Sequence, residues 1–177
     1  SLGGVIRFRD EILGESFNSL GRIAAVLADT VNEQHQLGMD LEGEFGGMFF
    51  TDINSEANQA ARVFAREGNA LPNDRVLHTE IIDSSLLTTK DYEVRFAGPT
   101  ANDILISDAL TGEKVTRGRL TGLLPATFDF DGLRLHFESG SFQVGDSFKI
   151  MPTRFAARDI DMNLTRVEAI ALGSPIR

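Results

Sequence analysis

Leu13-Gly14-Glu15-Ser16-Phe17-Asn18-Ser19-Leu20-Gly21-Arg22-Ile23-Ala24-Ala25-Val26-Leu27-Ala28-Asp29-Thr30-Val31 is the stretch on which the reading of the fold turns. Leu13, Phe17, Leu20, Ala24, Leu27 and Val31 recur at alternating steps of four and three. That spacing lays one narrow apolar stripe of a helix against another helix. Ile23 and Val26 flank the stripe, and Arg22, Asp29 and Glu33 lie elsewhere on the wheel. The six residues read as a helix-packing seam, belonging either to an ordinary core helix or to a bundle helix that also touches neighbouring subunits. Spacing leaves both open. Leu20→Asp and Leu27→Asp are then expected to loosen the helical part, because each places a charge in an apolar seam. Glycine weakens helices, so Gly14 and Gly21 put the expected start near Glu15 or Ser16. Gly21 is also a position at which another helix can come close. Gly38, after Leu37, is the expected stop.

Beyond this helix, residues 39–56 read as loop, with Gly46-Gly47 and a short apolar plug of Met48, Phe49 and Phe50. Residues 56–66 read as a short helix, since Ala57, Ala60, Ala61 and Phe64 share a face. Gly68-Asn69 and Pro72-Asn73 mark a junction. From about residue 75 to 152 the period changes to two. Tyr92, Val94 and Phe96 alternate with Glu93 and Arg95; Phe128 and Phe130 flank Asp129; Leu133, Leu135 and Phe137 alternate with Arg134 and His136; Phe148 and Ile150 alternate with Ser147 and Lys149. Each is a strand with one buried face. Asp131-Gly132 between two of them predicts a tight hairpin, and Thr111-Gly112, Ser139-Gly140 and Gly145-Asp146 supply further turns. After Pro152 the pattern is helical again, with Ala156, Ala157, Ile160 and Leu164 on one stripe and another turn over Val167 to Leu172. The expected class is α+β. A helical part, made of a long N-terminal helix and a C-terminal helix, carries an inserted antiparallel β-sandwich or partial barrel. The expected division is 1–70 and 154–177 for the helical part and 71–153 for the β domain.

Composition narrows the partners. The 177 residues hold 17 Lys and Arg against 26 Asp and Glu, a net charge of −9, with the basic residues scattered apart from Arg117 and Arg119. Nucleic acid and anionic membrane surfaces both demand clustered cations, so neither is expected as a partner. No apolar run is long enough to span a bilayer, and Ser1-Leu2-Gly3-Gly4 has none of the features of a secretory leader. The chain contains no cysteine, which excludes disulfides, thiolate metal sites and cysteine nucleophiles. Thirteen Phe against one Tyr and no Trp point to rings used for packing.

Searching for chemistry yields little. His35, His78 and His136 are far apart in sequence and in no metal-ligand spacing, so no metal site is expected of them. His35 near a helix C-terminus reads as a cation favoured by the dipole, and His136 as a solvent-facing strand residue. Asp129-x-Asp131-Gly132 looks like the opening of a calcium loop but lacks the closing glutamate, and a strand entering a hairpin explains it better. The acid pairs Asp10/Glu11 and Asp159/Asp161 read as solvated surface rather than as a glycosidase pair. No nucleophile elbow, Walker loop or dinucleotide fingerprint is present. No catalytic residue and no cofactor are expected.

An ordered set of short matches points further. Leu20-Gly21-Arg22-Ile23-Ala24, Leu27-Ala28, Val31-Asn32, Gln34-His35, Gly38-Met39-Asp40-Leu41, Gly43, Gly46-Gly47 and Phe49-Phe50 come first. Asp91-Tyr92-Glu93-Val94, Phe130-Asp131-Gly132-Leu133, Gly145-Asp146-x-Phe148, Pro152-Thr153-Arg154, Ala157-Arg158-Asp159-Ile160 and Ile170-Ala171 follow. The set resembles the bacterial flagellar hook-associated protein 1 family over nearly the whole chain. The resemblance implies a structural subunit of the junction between hook and filament, exported by the flagellar type III apparatus to an extracellular position. It implies contact with the hook protein, the second junction protein and further copies of itself. It also implies a central segment without the family's terminal helices, a β module facing outward, and no catalytic residue to carry over. A second class of reading is a secreted carbohydrate- or receptor-binding module built on the β region, suggested by short strands with exposed turns.

Overall fold

The computed structural model describes residues 1–163 and 170–171. Helix α1 runs Leu2–Leu37, capped at its start by the Ser1 hydroxyl, which accepts from the Gly4 amide. The expected start near Glu15 is therefore corrected by nearly four turns. Thirty-six residues give a helix about 54 Å long. The helix stops at Leu37 as the sequence indicates, with Gly38 extended rather than left-handed. A side chain at Gly38 would meet the carbonyl of Ala171, so glycine serves here for close approach and not for a special turn.

Gly14 and Gly21 remain helical because the body of the protein needs them bare. The buried residues of α1 are Gly14, Asn18, Gly21, Ala25, Ala28, Asn32 and His35. They also alternate by four and three, one residue out of phase with the predicted stripe. A Cβ on Gly21 would overlap the backbone carbonyl of Thr153, and one on Gly14 would sit 3.0 Å from Arg154 Nη2. The helix thus lies on the segment after the last strand through its smallest side chains.

Helix α2 (Glu56–Ala61) is shorter than predicted, because residues 63–65 leave it to form strand β1 (Val63–Ala65). The remaining strands are β2 (Val76–Ile81), β3 (Tyr92–Phe96), β4 (Asp103–Asp108), β5 (Lys114–Arg119), β6 (Ala126–Phe130), β7 (Leu133–Ser139) and β8 (Ser147–Ile150). They form a five-stranded sheet, β1-β8-β3-β4-β5, and a three-stranded sheet, β2-β7-β6, with every pairing antiparallel. Neither sheet closes into a barrel. Helix α3 (Ala156–Asp159) follows and packs on α1. The class is α+β, as read from the sequence. Ile160 caps α3 instead of extending it, and Leu164, the turn from Val167 and Leu172 lie outside the described residues.

Alternation in sequence becomes burial in the core. Leu77, Ile81, Leu133, Leu135 and Phe137 of the small sheet and Val94, Phe96, Ile104, Ile106, Phe148 and Ile150 of the large one form one cluster, joined by Ala25 of α1. Phe96 is stacked on Phe142 at 5.0 Å and meets Phe137 edge-on at 5.8 Å. These rings are packing elements, as the Phe-rich composition indicates. Asp131 and Gly132 both have positive φ, 46° and 76°, so the β6–β7 hairpin has the tight turn its dipeptide predicts. The Asp131 carboxylate accepts from the Tyr92 hydroxyl at 2.7 Å, and Asp129 is paired with Arg134. Both acids of the calcium-like motif are thus committed to the fold.

Asp146 does more than complete a turn. Its side chain is fully buried against Arg75, with Nε and Oδ2 at 2.7 Å, and it accepts from the amides of Ala70 and Gln143. Arg75 donates in turn to the carbonyls of Ala70 and Pro72. This ion pair ties residues 69–75 to the β7–β8 connection.

Two substitutions test these constraints. Gly21→Ala is expected to destabilise by about 1–3 kcal/mol in urea melts, although Ala is the better helix former. Asp146→Ala is expected to cost about 3–5 kcal/mol, since it leaves the Arg75 guanidinium buried and unpaired.

Candidate interaction surface on the long helix

The inner face of α1 is a row of polar fasteners separated by small residues. Near its middle, Asn18 donates to Thr89 O and Asp91 Oδ1, both at 2.9 Å, and accepts from Arg154 Nε at 2.7 Å. Arg154 also pairs with Asp91 through Nη2, so three segments meet at one triangle. Arg22 donates from Nε to Leu87 O at 2.6 Å. One turn of the stripe further, Ala25 and Ala28 pack without intervening bulk. Asn32 then makes two bonds to Phe50, accepting from its amide at 2.8 Å and donating to its carbonyl at 3.2 Å. His35 ends the row. Its Nδ1 lies 2.6 Å from Gly47 O, and its Nε2 accepts from the Ala171 amide at 2.9 Å. An acceptor at Nε2 and a donor at Nδ1 require the neutral ring, which replaces the dipole-stabilised cation expected from position alone.

About 100° around the helix from this row stands the predicted seam, and the chain leaves its large side chains largely uncovered. Leu13, Phe17, Leu20 and Leu27 are 44–54% exposed, while Ala24 and Val31 are half-buried beside the inner face. Ile23 is exposed too, and so are Leu2, Val5, Ile6, Phe8 and Ile12 on the part of the helix that sequence reasoning left out. Residues 1–13 are exposed throughout. The intramolecular reading of the seam is therefore corrected. Hydrophobic pattern points to the large side chains as buried, whereas close approach selects small and hydrogen-bonding residues one position along. With Leu20 and Leu27 in solvent, aspartate at either place buries no charge, and the expected loosening does not follow.

Other candidates are placed as follows. Asp10 lies 3.7 Å from Arg9, and Asp159 pairs with Arg158; both are surface contacts. Arg62 is buried beneath α1, donating to Thr79 O at 2.9 Å, to Asn54 Oδ1 at 3.2 Å and to Ile53 O. Burial lowers its pKa to about 10, opposed by Asp52 and Glu80. A cavity of about 40 Å³ beside it is lined mainly by apolar side chains, alanines of α1, α2 and α3 among them, and its ionisable lining residues are already paired, Arg62 with backbone and Asn54, and Asp159 with Arg158. Sequence reasoning missed one association. His78 and His136 are partners in the β2–β7 register, with rings stacked at 5.1 Å and Glu80 and Glu138 alongside. No spacing signal reports it, because the register joins distant residues. No helix among the described residues is long and apolar enough to cross a membrane.

Comparison with known proteins follows the same layout. Residues 1–50 match the family described as the flagellar hook-associated protein FlgK helical domain. Over 98% of its length the chain is 31% identical to flagellar hook-associated protein 1 of Salmonella typhimurium, and 29% identical to that of Escherichia coli. The flagellar hook junction protein FlgK of Burkholderia pseudomallei superposes with a TM-score of 0.74 at 29% identity, over 89% of this chain and 26% of that one. The chain is similar to the flagellar hook-associated protein 1 family along nearly its whole length. It spans 29% of the length of the Salmonella and Escherichia relatives. The hook-associated protein 1 family is flagellar, and these relatives lend no support to a carbohydrate- or receptor-binding module.

Asn32→Ala tests the fastening row. It strands the half-buried Phe50 amide and is expected to cost about 1–3 kcal/mol in thermal or urea melts.

Proposed function

We propose that this chain is part of a structural subunit that joins the bacterial flagellar hook to the filament and acts by packing against other subunits, without catalysis. The observation that carries the proposal is the exposed stripe on α1. Large apolar side chains left exposed on a helix whose neighbouring face is packed from Gly14 onward mark an interaction surface. The seam Leu13, Phe17, Leu20, Ala24, Leu27 and Val31 meets other helices at the period of a bundle interface, and Leu2 to Ile12 extend it.

The partners on this reading are the hook protein, the second junction protein and copies of the same subunit. The location is extracellular, reached through the flagellar type III apparatus. Similarity to the hook-associated protein 1 family supports each of these assignments. Residues 1–70 and 154–177 act as the helical body along the tube wall, where close packing resists deformation. Residues 71–153 act as an outward β domain, with β1 crossing that boundary to edge its larger sheet.

The test separates assembly from folding. Leu20→Asp with Leu27→Asp is expected to leave the melt of the chain within about 0.5 kcal/mol of wild type, as for exposed positions generally. The same pair in the full-length protein is expected to abolish filament attachment and swimming. Cells that swim with normally anchored filaments would refute the assignment of the seam.

A further inference from the structure

The outer face of the three-stranded sheet carries a second feature, independent of the seam. On β2, His78 and Glu80 point outward; on β7, His136 and Glu138 do the same. His78 and His136 face each other across the strands, with ring planes 15° from parallel. His78 Nε2 lies 3.4 Å from Glu138 Oε1, and His136 Nδ1 lies 3.8 Å from the same oxygen. Ligand atoms of the three residues fall within 4.8 Å of one another.

The other nitrogen of each ring is already engaged. His78 Nδ1 lies 3.1 Å from Gln59 Oε1 on α2, and His136 Nε2 lies 2.8 Å from Glu80 Oε2. Both partners are acceptors, so each holds a proton on the nitrogen it faces. The remaining nitrogens then turn lone pairs toward a single carboxylate oxygen. Such an arrangement repels unless a cation lies between. An acceptor behind each imidazole is also the usual support of a metal-bound histidine, fixing its tautomer and orientation.

We propose that His78, His136 and Glu138 form a binding site for a borderline divalent metal ion of the zinc class, with Gln59 and Glu80 as positioning residues. Two imidazoles and one carboxylate make a donor set suited to zinc, cobalt or nickel. Ligands about 2.0–2.1 Å from a tetrahedral ion lie about 3.3–3.5 Å apart, so the observed 3.4 and 3.8 Å need only small adjustment. The fourth position faces solvent and takes water. Local charge favours a cation: Glu80, Glu138 and Asp129 lie near the rings, the guanidinium of Arg134 is engaged by Asp129, and that of Arg62 is spent on Thr79 O, Asn54 Oδ1 and Ile53 O. Bound metal would clamp β2 to β7 and, through Gln59, hold α2 against the sheet.

The chain, stripped with chelator, is titrated with Zn²⁺ by calorimetry and with Co²⁺ by visible absorption, which reports low-coordinate geometry. One equivalent is expected to bind, with an intense cobalt spectrum and a rise in Tm under excess zinc. Glu138→Gln, isosteric and partly exposed, is expected to weaken binding at least 10-fold and to lose the Tm rise while keeping the metal-free melt. Gln59→Ala and Glu80→Gln are expected to weaken binding about 10-fold each, the effect of removing a supporting acceptor. The double variant His78→Asn with His136→Asn is expected to bind no metal at this stoichiometry. Equal affinity in wild type and Glu138→Gln, or wild-type binding no tighter than the double variant, overturns the proposal and leaves a proton as the occupant of the cluster.

Discussion

The structure depends on one close approach, between the backbone of α1 at Gly21 and the carbonyl of Thr153. No residue with a side chain fits there without displacing main chain. Once the two backbones meet, the phase of the helix is settled. Asn18 reaches the Asp91–Arg154 pair, Ala25 enters the core, and Asn32 and His35 reach the loop that returns beneath the helix. A 36-residue helix exposed from its start through Leu13 owes its orientation to this short row. The energetic load is carried by the buried alanines and by hydrogen bonds that satisfy otherwise stranded backbone groups, such as the Phe50 amide and carbonyl. Bulky apolar contact contributes little on this face.

That division explains what could be read in advance. The strands at Tyr92, Leu133 and Phe148 were legible because a one-sided sheet writes its burial into alternating residues, and the Asp131-Gly132 hairpin because positive φ at both positions restricts the dipeptide. The period of α1 was legible too. Its inward face was not, because hydrophobic pattern assumes that large means buried, and here the closest contacts exclude size. The helix start was misplaced for the same reason: Gly14 and Gly21 count against a helix locally and are retained for packing. β1 escaped notice because its three residues are mostly exposed and carry no alternation. The Arg75–Asp146 pair and the His78–His136 pair depend on connections between distant segments, which no local spacing encodes.

Several residues of the motifs that carry the resemblance have a physical role in the packing. Gly21, Asn32, His35 and Gly38 on the helix, Gly46-Gly47 and Phe49-Phe50 after it, Asp91, Asp146, Thr153-Arg154 and Ala171 all take part in the contacts that seat α1 or close the β domain. Each contact requires a particular atom at a particular place: an absent Cβ, an amide that both donates and accepts, a ring nitrogen with a lone pair. Short scattered motifs of this kind identify a family because few other residues meet such demands. Apolar core positions, by contrast, accept several side chains of similar volume.

Two stripes of the same period, one residue apart, have a consequence for how such a chain can change. Deleting a single residue between Asn18 and Gly21 would rotate everything before it by about 100° against everything after it. The polar fasteners and the greasy outer row could then no longer both face their proper sides along the whole length. The helix is therefore locked in its numbering by its own body within and, under the proposed function, by its neighbours without. Substitutions on the outer row remain open to gradual change, whereas a shift in length must restore the angular phase of the helix, as about seven or eleven residues do.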